Sequence, residues 1–123
     1  MRSLWPLLGL MAVLRVGGQA GASDFDVVID EVHYNPLSDL PQDEFVELYN
    51  RGPTAVDLGG WIFAEGLTFE FPRGLVLQPK SYLVVSPDAA TTKTRYGISN
   101  VVGDYSGRLD NDGEILTIQN TAG

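Results

Sequence analysis

Hydrophobic and polar positions alternate along this chain in short runs that are separated by turn-forming residues. Such alternation, together with the many Val, Ile, Tyr and Phe residues inside the runs, is typical of β-strands. The predicted strands cover residues 25–34, 44–50, 56–58, 61–63, 67–71, 75–77, 82–85, 101–102 and 114–119. Short strands at intervals of about 8–12 residues, with turn signals between them, predict an all-β sandwich or barrel.

One short helix is predicted within this strand pattern. The segment from Asp88 to Tyr96 follows Ser86, which is placed to cap a helix, and it ends at Gly97. Because the segment is short and rich in threonine, it is expected to connect strands and not to form a layer of its own.

The pattern also predicts how two of the strands are arranged. In the first strand, Val27 and Glu31 share one face and Val32 lies on the other. Residues 75–77 and 82–85 are predicted to face each other as a hairpin, because the four residues between them place a proline at the first turn position.

The first 22 residues have the layout of a secretory signal peptide. A basic start is followed by an apolar run at residues 4–14, and small residues then lead to an A-x-A site at residues 20–22. Cleavage is expected after Ala22 or after Ala20, which leaves residues 23–123 as the mature chain. The alternative is an N-terminal membrane anchor, but the apolar run is shorter than the roughly 20 residues that a spanning helix needs. The sequence therefore predicts export to the periplasm, the cell surface or the extracellular medium, without a membrane span after cleavage.

Charge and cysteine content narrow the possible partners and setting. The chain has 16 acidic and 8 basic residues, a net charge of −8. Arg2 and Arg15 would leave with the leader, so 6 basic residues would remain against 16 acidic ones, a net charge of −10. Nucleic-acid binding is not expected from such a surface, because it rests on Lys and Arg contacts to phosphates. The absence of cysteine in an exported chain indicates stability from packing alone, and it favours a bacterial setting.

Candidate metal ligands are few. One histidine and no cysteine leave too few ligands for a zinc site. Carboxylates could hold calcium, and the weak candidates are Asp110, Asp112 and Glu114. Their segment does not fit an EF-hand loop, because Ile115 stands where that loop needs a glycine. The simpler interpretation is a hairpin turn in which Gly113 supplies the positive φ. The prediction is no cofactor, with calcium as the open alternative.

Candidate catalytic groups are equally sparse. A catalytic triad could use only His33, and that residue is interpreted as structural because it lies inside a strand. Glu31 and Glu47 could form a carboxylate pair for glycoside hydrolysis, although hydrogen bonding within the fold is the simpler role. Trp61 could stack on a sugar, but its apolar neighbours favour a place in the core. The sequence predicts that this segment is not an enzyme.

Several ordered motifs carry a resemblance to a known family. They are VIDEVHYNP at residues 28–36, EFVELYN at 44–50, VDLGGW at 56–61, FPRG at 71–74 and SGRLDNDGE at 106–114. From about residue 26 onward the chain resembles the lamin-tail domain in its bacterial exported form.

The resemblance implies an immunoglobulin-like β-sandwich with one short connecting helix over residues 23–123, with one more strand to follow Gly123. It implies structural roles for Glu31, Glu47, Asn50, Gly60, Trp61 and Gly113. The sequence departs from the family pattern at Asp30, where Asn is commoner, and at Lys80, where Gly is commoner.

The expected function is that of a non-catalytic binding or structural module. Its partners would be a protein, a glycan or neighbouring domains of the same chain. The alternative is an accessory N-terminal domain of a larger extracellular enzyme, such as a nuclease, a phosphoesterase or a spore-coat-kinase-like protein, whose catalytic part would lie beyond residue 123.

Overall fold

Two four-stranded sheets form the body of the domain. A computed structural model describes residues 11–15, 22–33, 40–109, 113 and 115–123. The strands are β1 (Met11–Arg15), β2 (Val27–His33), β3 (Phe45–Asn50), β4 (Val56–Asp57), β5 (Ile62–Glu65), β6 (Phe69–Glu70), β7 (Val76–Leu77), β8 (Tyr82–Val85), β9 (Val101–Val102) and β10 (Ile115–Gln119). One helix, α1 (Ala89–Tyr96), and two 3-10 turns, Ala22–Asp26 and Pro41–Asp43, accompany them.

The sheets have the strand orders β1-β10-β5-β6 and β2-β3-β8-β9, and β4 and β7 form a separate pair. Most neighbours are antiparallel, while β1–β10 and β8–β9 are parallel. The main apolar core is a cluster of buried side chains from both sheets: Val27, Val32, Val46, Leu48, Val56, Leu58, Trp61, Phe63, Leu67, Phe71, Leu77, Leu83, Val85, Tyr105, Leu109, Leu116 and Ile118. The fold is an all-β, immunoglobulin-like sandwich, as the alternation and the resemblance predicted.

Strand β3 shows how the sequence pattern builds this core. Val46 and Leu48 lie in the main core, while Phe45 lies on the opposite face in a second apolar cluster with Val84 and Val101. Helix α1 packs over this second cluster. Because successive side chains of a strand point to opposite faces, β3 is buried on both sides at its Phe45 end.

The predicted faces of β2 are wrong beyond Ile29. The register passes from Ile29 opposite Leu48 to Glu31 opposite Glu47, so Asp30 is an extra residue in β2. Such a β-bulge reverses the alternation that follows it. Val32 therefore joins Val27 in the core, and Glu31 lies on the other face of the sheet.

The predicted hairpin of residues 75–77 with 82–85 is also wrong. The turn exists, and Lys80 has a φ of +58° within it. However, β7 pairs with β4, and β8 pairs with β3 and β9. The turn therefore carries the chain between two sheets. Its Lys80 N–H donates to the Asn50 carbonyl at 2.8 Å, which ties it to the end of β3.

Helix α1 follows the predicted bounds closely, with a different cap. The Asp88 carboxylate accepts from the Thr91 N–H at 3.1 Å and is the N-cap, while the buried Ser86 hydroxyl accepts from the Asp88 N–H at 3.0 Å. Gly97 ends the helix in the left-handed conformation, as predicted, with φ at +64°.

Strand β10 has a neighbour on each side, β5 on one and β1 on the other. Strand β1, which lies inside the predicted signal peptide, pairs with β10 along its full length. Processing of the leader is a separate matter from this pairing and stays a prediction. Among the residues described above, no helix has the length and apolar character needed to cross a membrane.

Candidate interaction surface

One face of the β2-β3-β8-β9 sheet points away from the main core and is called here the outer sheet face. It carries polar and aromatic side chains that could bind a partner or take part in chemistry. The strand register determines which residues lie side by side on this face, because residues directly opposite each other on neighbouring strands share a face. Glu31 lies opposite Glu47, which continues to Val84 and Val101, and Val28 lies opposite Tyr49, which continues to Tyr82.

One end of the outer sheet face is covered. The ring of Phe45 meets His33 edge-on, with centroids 4.8 Å apart, and meets Tyr96 of α1 at 5.7 Å. The Arg95 Nε, also on α1, lies 3.2 Å from the Asp43 Oδ1. Aromatic packing and an ion pair with a buried carboxylate therefore hold the helix against this end of the sheet.

The middle of the face holds the carboxylate pair that the sequence singled out. Glu31 is 5% exposed and Glu47 is 2% exposed, and they stand directly opposite each other on β2 and β3. Like charges directly opposite each other destabilise a sheet. Each of these two side chains, however, has an interaction partner. A pair this buried gives a sugar no access. Its position supports a role within the fold.

Two ionisable groups near this pair have shifted pKa values. Partial burial lowers the pKa of His33 below its ordinary 6.5, and the nearby Asp43 charge opposes that effect. Burial raises the pKa of Tyr96, with the Asp43 and Glu31 charges acting in the same direction and Arg95 against them. Both shifts favour the neutral form of the side chain.

The other end of the outer sheet face is open. Tyr49 and Tyr82 stack across β3 and β8, with ring centroids 4.4 Å apart and planes inclined by 25°. Both are only half-buried. Beyond this pair, the exposed Arg51 and Lys80 follow at the ends of the strands, and the Lys80 ammonium donates to the Arg51 carbonyl.

The backbone of Phe25 borders this open end. Its side chain is 56% exposed, and its carbonyl accepts from the Arg51 guanidinium at 3.3 Å. The tyrosine end, defined as Tyr49, Arg51, Lys80 and Tyr82, therefore combines two half-buried, stacked aromatic rings with two cations in a strongly acidic protein.

The residues that the resemblance marked do not form one site. Asn50 is fully buried at the end of β3, and Trp61 lies in the main core, which confirms the core interpretation of that side chain. Gly60 and Gly113 have φ values of +81° and +101°. These conformations favour glycine and explain both positions through backbone geometry.

The calcium candidates Asp110, Asp112 and Glu114 lie outside the described residues. Within the described ranges, no group of three His, Asp or Glu side chains is arranged to hold a metal ion.

Sequence reasoning missed the tyrosine end. The signal was present, since Tyr49 alternates away from the core positions of β3 and Tyr82 begins β8. Only the register between the two strands places their rings together. The predicted hairpin paired residues 82–85 with residues 75–77 and not with β3.

The chain is similar to a known protein family. The family model described as Lamin Tail Domain matches residues 20–123. No curated protein matches the chain, and no solved structure does.

Proposed function

The chain belongs to the Lamin Tail Domain family, and from that membership we propose that it serves as a non-catalytic binding module of an exported bacterial protein. The family's domain is immunoglobulin-like and non-enzymatic. The leader-like residues 1–22 support export. The module would act at the cell surface, in the periplasm or outside the cell, and it would hold a protein or glycan partner.

The observation that carries this proposal is the tyrosine end of the outer sheet face. Tyr49 and Tyr82 are stacked and half-buried where the sheet leaves the cover of α1. Aromatic side chains offer a large contact area at low entropic cost, and with Arg they are the residues that contribute most at binding surfaces. Arg51 and Lys80 beside them would pair with acidic groups of the partner.

Electrostatics argues for the same end of the molecule. The chain carries twice as many acidic as basic residues, so an acidic partner is repelled by most of the surface. The two cations at the tyrosine end provide a local exception. We therefore favour a partner that combines sugar rings or apolar side chains with carboxylates, such as an acidic glycan or an acidic peptide segment.

The test compares the full chain with a Tyr49→Ser/Tyr82→Ser variant on an array of neutral and uronic-acid glycans and of acidic peptides. Binding by the wild-type chain, lost at least tenfold in the variant, is expected. The matched control is Val76→Ser, which removes an exposed apolar side chain from β7 and should leave binding unchanged. Equal binding by all three proteins would place the contact elsewhere and overturn the proposal.

A further inference from the structure

Arg51 and Lys80 form a pair of neighbouring cations at the tyrosine end. Arg51 directly follows β3, and Lys80 lies two residues before β8. The Lys80 N–H donates to the Asn50 carbonyl at 2.8 Å, and the Lys80 ammonium donates to the Arg51 carbonyl. The backbone therefore holds the two positively charged residues side by side, although both side chains are exposed.

Neither cation is paired with an acidic side chain in the part of the chain that the structure describes. Both side chains donate to main-chain carbonyls, Arg51 to that of Phe25 at 3.3 Å and Lys80 to that of Arg51. Arg95, by contrast, has a carboxylate partner in Asp43. With 16 acidic and 8 basic residues in the chain, an acidic neighbour is the expected arrangement for a cation. Two adjacent cations without one can accept an anion from outside.

The spacing between the rings and the cations suits a sugar ring that carries a carboxylate. Arg51 is two residues beyond Tyr49, and two residues of extended chain span about 7 Å. In a uronic acid the carboxyl group is bonded directly to the pyranose ring, so ordinary bond lengths place its oxygens roughly 4 Å from the ring centre. A charge-assisted hydrogen bond adds about 2.8 Å. A uronic acid ring packed on Tyr49 can therefore reach the cations with its carboxylate.

An extended peptide fits this place less well, because the sheet offers it no main-chain partners. Strand β3 lies between β2 and β8, and β8 lies between β3 and β9, so neither is an edge strand that a peptide could extend. At the strand ends, the Asn50 N–H donates to the Ser81 carbonyl and the Arg51 N–H to the Asp26 carbonyl, both at 3.0 Å. A peptide on the rings would bury amide groups without partners, which is costly. A sugar ring has no amides in its backbone, and its hydroxyls project from the rim into water.

From these observations we infer that the tyrosine end binds an acidic polysaccharide, with one uronic acid ring packed on Tyr49 and Tyr82 and its carboxylate held by Arg51 and Lys80. The inference rests on the proposed function and adds the chemical class of the ligand. The Phe25 carbonyl uses one N–H group of Arg51 and leaves the others for a carboxylate. The Lys80 ammonium adds a point charge beside them. The acidic remainder of the surface repels such a polymer and restricts its contact to this end.

The experiment neutralises both cations in the full chain with Arg51→Gln/Lys80→Gln. The matched control, Arg73→Gln/Lys93→Gln, removes the same charge from two exposed residues outside the tyrosine end, so a general effect of net charge appears in both variants. The probes are a tetramer of galacturonic acid, its fully methyl-esterified form and a capped tetraglutamate peptide. The ester keeps the sugar rings without the charge, and the peptide keeps the charge without the rings. Calorimetric titration gives each Kd.

The wild-type chain is expected to bind the acid tetramer at least tenfold more tightly than the ester or the peptide, because only the acid offers both a ring and a carboxylate. The cation variant should lose at least tenfold in affinity for the acid and bind the ester like the wild type. The control variant should match the wild type with every probe.

Four results would overturn the inference. They are a cation variant that binds the acid like the wild type, a wild-type chain that binds the ester as tightly as the acid, one that binds the peptide at least as tightly as the acid, and one that binds no probe. The third would identify an acidic peptide as the ligand. The comparison of acid with ester needs no variant, so it holds even where a variant is not folded, which the near-ultraviolet signal of the buried Trp61 reports.

Failure of this inference differs from failure of the proposed function. The Tyr49→Ser/Tyr82→Ser variant should lose affinity for the acid and the ester alike, because both need the aromatic surface. If the cation variant binds the acid normally and the tyrosine variant does not, the uronic acid assignment falls and the tyrosine surface stands. If both variants bind the acid like the wild type, both proposals fall.

Discussion

The side-chain amide of Asn50 donates to the carbonyl of Leu77, 27 residues further along the chain, at 3.0 Å. The same amide group donates to the Thr54 carbonyl at 2.8 Å, and its oxygen accepts from the Gly52 N–H at 3.0 Å. One fully buried side chain thus joins the end of β3, the following turn and β7. Its place at the end of the ELYN segment, residues 47–50, is explained by this structural role.

Replacing Asn50 by alanine is expected to lower the free energy of unfolding by about 3 kcal/mol, because it leaves two carbonyls and one N–H without their partner in a buried place. Chemical denaturation of the two proteins measures the change. The matched control is Asn100→Ala, since the Asn100 amide makes a similar bond to the Tyr82 carbonyl at 2.8 Å in an exposed place. That change should cost less than about 1 kcal/mol. Equal costs at the two positions would refute the bridging role of Asn50.

The strand pattern of the sequence predicted the fold class because it depends on local alternation. Val46 and Leu48 fall on the core side of β3 as expected, and α1 ends at Gly97 as expected. Alternation could not reveal the bulge at Asp30, because an inserted residue changes faces without changing composition. For that reason Val32 was placed on the wrong side of β2.

Strand pairing and the surface were less predictable than the strands. A proline-containing turn is equally compatible with a hairpin and with a crossing between sheets, so residues 75–77 were given the wrong partner. The stack of Tyr49 on Tyr82 depends on the pairing of β8 with β3, which the predicted hairpin did not include. The occupation of the β10 edge by Met11–Arg15 joins segments about a hundred positions apart, far beyond the reach of a local pattern.

Lys80 occupies a turn position that suits glycine. Its φ of +58° lies in the left-handed region, which costs an L-residue about 1–2 kcal/mol. Lys80→Gly should therefore raise the free energy of unfolding by about 0.5 kcal/mol, after allowance for the extra flexibility of glycine in the unfolded chain. Thermal unfolding followed by circular dichroism measures it. Gln78→Gly, two residues earlier, gains no such relief and should be destabilising. A loss of stability in Lys80→Gly would contradict the strain argument.

Calcium is not expected to stabilise the domain. Gly113 has a φ of +101°, which fits the turn interpretation of its segment. The melting temperature of the full chain should be the same, within about 1 °C, in millimolar calcium and in excess chelator, because an ion that does not bind the folded state does not stabilise it. An Asp112→Asn variant should behave alike in both buffers. A rise of several degrees with calcium that this variant abolishes would establish the alternative.

Stability should fall as the pH drops below neutral because of His33. Its pKa in the folded state is lowered from 6.5, chiefly by burial, so the unfolded chain takes up a proton at a pH where the folded chain does not. The stabilising contribution of neutral His33 is complete above pH 6.5 and is lost as the pH falls through the lowered pKa. His33 is the chain's one histidine, and histidine is the side chain whose ordinary pKa lies between pH 5 and 8.

The measurement is urea denaturation of the wild-type chain and of His33→Gln at a series of pH values from 7.5 down to 5. The wild-type free energy of unfolding should decline over this range, and the decline should be smaller in His33→Gln, which cannot take up the proton. Lys93→Gln removes an exposed charge from α1, and it should leave the wild-type slope unchanged. A wild-type curve that rises toward acid pH would mean that the attraction of Asp43 for the protonated ring outweighs the cost of burying it.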